Sequence, residues 1–488
     1  VQTNNTFKFV IVGGGTAGLI AASYLATAFK ENTEIVLIYD HNNPGIGVGE
    51  SLTPIFKQFL NDTKITQAEL IKNVSATVKI GLKFKNWLND GKSFCHGFNQ
   101  FNSERWGIRA AYDIVNNNYD GDCLYSSEYF EKGIIPSPTI KSIHGNALHI
   151  DATLLSRFIE NKFKDKITII DDVVVDVVKS KNNIKEVILK NRGIVKGDFF
   201  IDASGFQCVL MKHMNNSWVD KSKQLPINRF IPNPVPTTHN DNIPPYTISE
   251  ATDSGWILQV PLQHRWGTGY LYCSDFTTDE QAHDKFSIWS KENYNFKVTS
   301  HSVLKFKSGY WKDQWVGNCL VTGLASGFAE PLEATNIHHT ITQLIKFCNI
   351  FNYTILEQDR VIYNNAQREL YENIYTYLGF CYTTGRTDSE FWKYMTNNIP
   401  GNIKQLLEKA ENDYLNADCV DGVMFMYENF TCVASGLKKF NTNKIKDILI
   451  RKGLYNIGKN LSYKLRQDRL EQIKHSINHK SYIDSIVK

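Results

Sequence analysis

The sequence predicts an α/β fold with α+β elements: a parallel nucleotide-binding sheet, then a mostly antiparallel sheet, then a helical C-terminal lobe. Three observations predict it. The apolar run Phe7-Lys8-Phe9-Val10-Ile11-Val12 meets a glycine turn, a helical stretch and a second apolar run, Glu34–Tyr39, which is a βαβ unit. Residues 210–310 place Pro, Asn and Asp turns between alternating segments such as 256–262 and 268–273. Beyond about residue 355 the chain reads as mainly helical, with a turn signal at Pro400-Gly401. The expected division is 1–210 with 310–355 as one discontinuous nucleotide-binding domain, 211–309 as the substrate-side sheet, and 356–488 as the helical lobe.

The elements follow in order. Residues 7–13 form a buried parallel strand. Residues 16–30 form a helix with Gly18, Ala21, Ala22, Leu25 and Phe29 on one face, the small residues allowing it to lie close to the sheet. His149-Ile150-Asp151 precedes an amphipathic helix over 152–164, with strands expected near 167–179 and 184–190. Asp198-Phe199-Phe200-Ile201-Asp202-Ala203-Ser204-Gly205 is a strand ending in a small-residue turn, and 315–323 is another buried strand. A helix starts near Thr335, with Ile337, Ile341, Leu344, Ile345 and Cys348 at helical spacing.

Composition narrows the function classes. A chain of 488 residues is too long for one core. A net charge of +4 leaves no basic stripe for nucleic acid. No apolar run is long enough for a membrane span and no charged-then-apolar leader opens the chain, so the expectation is a cytoplasmic protein. The nine cysteines are scattered singly, without Cys-x-x-Cys pairs, and read as reduced core residues. His338-His339 lies on diverging helical positions with no carboxylate at ligand spacing, so no metal is expected.

Gly13-x-Gly15-x-x-Gly18, between a strand and a helix that begins at Thr16 and Ala17, is a dinucleotide fingerprint. The first glycine permits the tight turn, the second lets backbone approach a pyrophosphate, and the third lets helix pack on strand; the helix N-terminus supplies N–H donors. The acidic residue for the ribose is expected at the end of the second strand. Tyr39 holds that end and Asp40 follows, so either Asp40 reaches the ribose through a shifted turn or the adenosine is held differently. Gly47-Val48-Gly49-Glu50-Ser51 would carry backbone under a second part of the cofactor. There is no second Gly-x-Gly-x-x-Gly, so electrons for a flavin would come from another protein.

From Phe7 to about residue 395 the sequence resembles the flavin-dependent halogenases of the tryptophan-halogenase type. The resemblance rests on an ordered series: Gly13–Gly18, Gly47–Ser51, Val78-Lys79-Ile80-Gly81-Leu82-Lys83-Phe84-Lys85-Asn86-Trp87, Asp202-Ala203-Ser204-Gly205-Phe206, Gly255-Trp256-Ile257-Leu258-Gln259-Val260-Pro261, and Gly323-Leu324-Ala325-Ser326-Gly327-Phe328-Ala329-Glu330-Pro331-Leu332-Glu333-Ala334-Thr335. It implies a Rossmann-like FAD-binding domain of the flavin monooxygenase type. FAD is expected at Gly13, Gly15, Thr16, Ala17, Gly18, Asp40, Gly49, Glu50, Ser51, Gly205, Gly323 and Ile337. It further implies a halide held at Thr335 and Asn336, Lys79 and Glu333 as catalytic residues, and His96, Phe98, Trp256, Pro261, Phe328 and Pro331 along the substrate pocket and tunnel.

In that family reduced flavin and oxygen give a C4a-hydroperoxide, halide attacks it, and hypohalous acid travels through a tunnel to the lysine matching Lys79. The glutamate matching Glu333 assists at the ring. Elementary chemistry agrees: hypohalous acid needs a donor or amine beside the substrate, a cationic ring needs a carboxylate, and a helix N-terminus at Thr335 and Asn336 suits an anion. Partners implied are a separate NAD(P)H-dependent flavin reductase supplying reduced FAD and a small aromatic or heteroaromatic substrate, with chloride, bromide or iodide; the reading leaves room for a homo-oligomer.

Three departures bear on chemistry. Leu258 and Val260 replace the tryptophan and isoleucine of the family's tryptophan-x-tryptophan-x-isoleucine-proline segment, which leaves monooxygenation open as a second reading. Ala334-Thr335-Asn336 replaces serine-threonine-glycine, removing glycine's freedom at 336 and with it the expectation that chloride is the best halide. No match to the residues that clasp tryptophan follows residue 395, so substrate identity does not transfer. A non-catalytic flavoprotein is the third reading, against which Lys79 and Glu333 stand.

Overall fold

The computed structural model describes residues 6–42, 49–98, 105–117, 126–137, 145–237, 242–300, 302–420 and 422–488. The described chain divides into two compact units, one of 1–76, 150–222 and 306–372, the other of 77–149, 223–305 and 373–488. Residues 77–149 thus group with the antiparallel sheet and the C-terminal helices, where the expected division had kept all of 1–210 together.

The first unit is built on a six-stranded sheet in the order Trp315–Val316, Cys319–Val321, Phe199–Asp202, Phe7–Val12, Thr33–Tyr39, Thr168–Asp171. Phe7–Val12 pairs in parallel with both neighbours, and the register sets Val12 beside Asp202. Phe9, Val10 and Ile11 are fully buried, as a central strand covered on both faces demands. Helix Thr16–Ala28 buries every residue from Gly18 to Ala26, and its small side chains let it pack on the sheet between helices Ala152–Phe163 and Thr335–Ile350. Under the sheet, Phe9, Phe199, Trp315, Phe347 and Phe351 form one aromatic cluster with centroids 4.8–6.4 Å apart. Each such ring contributes about 1.5–3 kcal/mol by burial.

Two expected strands divide. The segment 167–179 breaks into Thr168–Asp171, in the parallel sheet, and Val174–Ser180, in a separate antiparallel sheet with Asn183–Leu189 and Gly193–Lys196. Asp172 causes the break by accepting the backbone N–H groups of Val173, Asn191 and Arg192 at 2.8–3.0 Å. The segment 315–323 folds into a tight hairpin at Gly317, whose φ of 57° a side chain rarely adopts.

The second unit holds a seven-stranded sheet in the order Leu304–Lys305, Arg229–Pro236, Arg265–Tyr272, Gly255–Pro261, Thr247–Ala251, Gly81–Lys85, Ser93–Gly97. All its neighbours are antiparallel except Thr247–Ala251 with Gly81–Lys85. The middle of the chain therefore supplies the antiparallel sheet as expected, and residues 81–97 complete it. Helix Asp279–Tyr294 covers one face by setting Ala282 and Phe286 on Ile231, Ile257 and Tyr270. The strand Thr77–Lys79 pairs antiparallel with Ala147–Ile150, Lys79 opposite Ala147. Residues beyond 389 are predominantly helical, from Glu390–Asn397 to His479–Val487. No helix of the described residues is long and apolar enough to cross a membrane.

Candidate active site

In the first unit the glycine turn has the shape that a pyrophosphate needs. Gly13 sits at φ 116°, and a Cβ there would lie 2.2 Å from the Ala203 carbonyl oxygen. Gly18 packs as closely on the Gly13 carbonyl. At Gly15 the opposite holds: it is exposed, with no atom within 4 Å of a built Cβ, so its outer side is open to a ligand. Gly15 caps helix Thr16–Ala28 without a side-chain bond, leaving the first-turn N–H groups of Thr16, Ala17 and Gly18 without intrahelical acceptors. Gly323, at φ 61°, lies against Ala17, and Gly205, at φ 65°, is likewise open. The Gly205 turn is held by Asp202, which accepts N–H bonds from Ser204, Leu210 and Met211 at 2.8–3.1 Å. This is a cradle of glycines, backbone donors and open space, and FAD fits it.

The adenosine end differs from the usual arrangement. Tyr39 turns its ring over Gly14 and donates its phenol hydrogen to Glu160 of helix Ala152–Phe163 at 2.8 Å. His41 joins the same carboxylate at 3.1 Å and Asp171 at 3.0 Å. Asp40 accepts the amide of Asn42 at 2.9 Å, which commits one of its oxygens to its own turn. Gly47 and Val48 lie outside the described residues; Gly49 is buried at φ 112° and leads into Glu50–Ser51. Loss of solvent pushes the Glu50 carboxyl up to about 7.

Glu333 and Thr335 are both buried, at 2 % and 1 % exposure. Glu333 ends a 3-10 turn, Ala334 is left-handed at φ 58°, ψ 41°, and helix Thr335–Ile350 begins at once. A right-handed residue followed by a left-handed one turns successive N–H groups to one side, the geometry of an anion nest, with the helix dipole behind it. Thr335 Oγ1 is buried and has no hydrogen-bond partner among the described residues. These groups suit a halide. Asn336 corrects one expectation: it lies within the helix and is not among the positive-φ residues, so the strained position is Ala334 and asparagine enters at 336 without backbone strain. Ile337 is buried on the same helix, as is His339, while His338 bonds Thr53 at 2.8 Å. Pro331 opens the 3-10 turn, and Phe328 meets Phe206 and Phe306 edge-on at 5.3 and 4.7 Å. No group of three or more metal-ligating side chains occurs among the described residues.

In the second unit Lys79 is fully buried, its ammonium 4.9 Å from the centroid of the Phe98 ring. Its strand is held by groups that no sequence motif marks. Thr77 donates to the Pro261 carbonyl at 2.7 Å and so accepts from His149 Nδ1 at 3.0 Å. His149 Nε2 lies 2.9 Å from Thr247 Oγ1, and because burial keeps the ring neutral this nitrogen accepts the hydroxyl hydrogen. Burial, the Lys79 charge and His479 all hold the His149 pKa well below the ordinary value. A lone histidine in an apolar strand carries no spacing signal, which is why the sequence did not mark it. His96 is buried with both ring nitrogens engaged, by Tyr377 at 3.1 Å and Asn429 at 3.1 Å. Trp256, Leu258 and Val260 alternate onto one face of a strand that is buried throughout, and Pro261 ends it.

The candidate residues thus assemble as two sets: the glycines, Glu333, Thr335, Asn336, Phe328 and Pro331 in the first unit, and Lys79, His96, Phe98, Trp256 and Pro261 in the second. Residues 8–448 match the family model described as tryptophan halogenase. The chain belongs to the tryptophan halogenase family. It is 29% identical over 446 residues to the tryptophan 6-halogenase SttH of Streptomyces toxytricini, covering 84% of each chain. It is 28% identical over 455 residues to the tryptophan 7-halogenase RebH of Lentzea aerocolonigenes, covering 87% of this chain and 85% of that one. The SttH crystal structure superimposes with a TM-score of 0.89 at 24% identity, over 99% of this chain and 100% of that one. The structure of Tar14, a tryptophan C-6 flavin-dependent halogenase from taromycin biosynthesis, gives 0.87 at 24% identity over 99% of each. This flavin-dependent halogenase therefore keeps the family's fold over essentially its whole length.

Proposed function

We propose that this enzyme halogenates an aromatic or heteroaromatic small molecule, using FAD reduced by a separate NAD(P)H-dependent reductase, with Lys79 delivering the halogen and Glu333 assisting at the ring. The observation that carries the reading is Lys79: a primary amine with no solvent exposure, on a strand framed by a neutral imidazole. Burying an amine costs several kcal/mol even when it is partnered, about 3–5 if a partner is lost, so folding alone gives little reason to keep it. Reduced FAD supplies, from dioxygen, the oxidising equivalent that turns halide into hypohalous acid.

The chain's own residues do the rest. Backbone N–H groups of Thr16, Ala17 and Gly18 receive the pyrophosphate, and those of Thr335 and Asn336 receive the halide, with the Thr335 hydroxyl as a further donor. The Lys79 ammonium donates to the oxygen of hypohalous acid, making the halogen electrophilic, or the neutral amine attacks the halogen, the O–halogen bond breaks, and the amine proton leaves with the hydroxide as water, giving an N–halogen carrier. As the ring gains halogen it becomes cationic and must lose a proton; the Glu333 carboxylate stabilises that charge and helps remove the proton.

The test supplies FAD, a generic flavin reductase, NADH and each halide with a panel of indoles, phenols and azoles, read by mass spectrometry. A halogen isotope pattern is expected from the wild type and none from Lys79→Ala, with flavin oxidation retained in both. Halogenated product from Lys79→Ala removes the lysine from the mechanism. Leu258 and Val260, smaller than the family's side chains, favour one rival, and a product gaining a single oxygen in place of halogen would establish it as a monooxygenase.

A further inference from the structure

The strand Thr77–Lys79 has the sheet neighbour Ala147–Ile150 on one side, with Thr77, Val78 and Lys79 opposite His149, Leu148 and Ala147, while the amides of Val78 and Ile80 bond elsewhere. Along a strand successive amides point to opposite sides, so the amides of Val78 and Ile80 face away from that neighbour. Val78 and Ile80 are 1 % and 3 % exposed, so an unpaired amide there would forfeit its hydrogen bond to water. Ile80 is answered by the Pro245 carbonyl at 2.8 Å. Val78 is answered by a side chain from far along the chain: its N–H donates to His479 Nε2 at 2.9 Å. The other nitrogen, His479 Nδ1, donates to the Ile243 carbonyl at 2.8 Å.

An imidazole thus bridges Ile243 to Val78, while two residues on Pro245 bonds Ile80 directly. Segment 243–245 and His479 together act as a second strand along the outer edge, with Lys79 between the two clamped amides. His479 is itself held in place. Its backbone N–H donates to Gly133 at 3.0 Å, Ile477–Asn478 pairs with Ile134–Ile135, and Asn478 caps the helix His479–Val487 through the Ser481 amide. The ring is completely buried, and its two bonds demand one tautomer: Nε2 accepts only if Nδ1 carries the hydrogen. His479 lies beyond residue 448, where the family match ends.

We infer that His479 is a positioning residue for the halogenation step: the segment Ile477–His479 completes the edge of the Lys79 strand and fixes where the Lys79 amine is presented. This rests on the reading of Lys79 as the halogen-delivering group. A second neutral imidazole against this strand, in addition to His149 on the neighbouring one, also spares Lys79 a neighbouring positive charge.

The test uses the full chain and the variants His479→Leu, His479→Gln and Lys79→Ala. Flavin fluorescence measures FAD affinity, thermal melting measures stability, and halogenated product per flavin oxidised measures delivery. Glutamine can accept from Val78 and donate to Ile243 through one amide; leucine can do neither. The expected result for His479→Leu is FAD affinity within about two-fold of wild type and product per flavin lowered about ten-fold or more, the equivalent of about 1.4 kcal/mol on the productive step. His479→Gln is expected to recover most of that ratio. If leucine prevents folding, His479→Asn, whose amide is one methylene shorter, takes its place. Equal losses in the glutamine and leucine variants, tracking melting temperature, overturn the positioning role, as does a wild-type ratio in His479→Leu. Halogenation surviving in Lys79→Ala overturns the lysine reading itself. An inactive Lys79→Ala beside a wild-type His479→Leu leaves that reading standing and removes only His479.

Discussion

The ring of Tyr39 lies against the backbone of Gly14, so closely that a Cβ on Gly14 would fall 2.1 Å from the ring carbon Cγ. Gly14 is therefore glycine because of a neighbour and not because of its own backbone angle. Gly14→Ala is expected to cost about 1–3 kcal/mol by overpacking and to weaken FAD binding. Tyr39→Ala in the same chain removes the collision and should recover much of the loss. A double-mutant cycle on melting and on flavin fluorescence reads the coupling; strictly additive effects would show that the two residues do not constrain each other.

Ala334 and Asn336 shape the nest proposed to hold the halide. With Ala334 held left-handed at φ 58° and Asn336 adding an amide to the helix start, we expect a halide preference that is not restricted to chloride. Competing chloride, bromide and iodide in one reaction should give brominated or iodinated product alongside chlorinated. Asn336→Gly should shift the ratio toward chloride with little change in FAD affinity. Exclusive chlorination by the wild type would sink this expectation.

Buried neutral histidines give the protein an acid limit. Burial lowers His479 from 6.5 to about 4 and His339 from 6.5 to about 3. In the unfolded chain both take a proton near 6.5, while in the folded chain both resist it. Below 6.5 the unfolded state binds more protons, so the stability from these groups is complete above that pH. It falls by up to ~1.4 kcal/mol per pH unit per group until the folded values are passed. Urea midpoints should drop between pH 7 and pH 5, since the several buried histidines outweigh the single carboxyl of Glu50, which at about 7 takes up a proton in the folded chain over the same window and works against the drop. Glu69, held down to about 2 by Lys162 and Thr66, matters only at lower pH. A flat profile across that window would contradict the neutral, buried state of these rings.

Arg109 and Asp113 form a buried ion pair at 3.1 Å on helix Trp106–Val115, and Ser462 donates to the second carboxylate oxygen at 2.5 Å. Burial raises the Asp113 carboxyl and the Arg109 charge works against that rise. Arg109→Met should cost about 3 kcal/mol, because it leaves the buried carboxylate with Ser462 and only the half-exposed Arg466, 3.9 Å away, as partners. Pairing it with Asp113→Leu should return part of the loss. Melting temperature is the measure, and an unchanged value for Arg109→Met would show that the charge is not confined.

Much of the fold was legible because local patterns decide local structure. Strand Phe7–Val12, helix Thr16–Ala28, the Asp151-capped helix Ala152–Phe163 and helix Thr335–Ile350 fall within a residue or two of where periodicity and capping put them. Val174–Ser180 was misjudged as a continuation of its predecessor because the break comes from Asp172 reaching residues 191 and 192, which no local window contains.

By itself the sequence determined the glycine cradle, the Lys79 and Glu333 motifs, and the family to which the chain belongs. Those signals are short, contiguous and chemically specific. Only the tertiary structure decided what surrounds them: Tyr39 over Gly14, Ala334 rather than Asn336 as the strained residue, His149 behind Thr77, and His479 at the amide of Val78. The physical reason is distance along the chain. A buried amide must be paired by something, but nothing in residues 77–79 says that a histidine 401 positions away will do it.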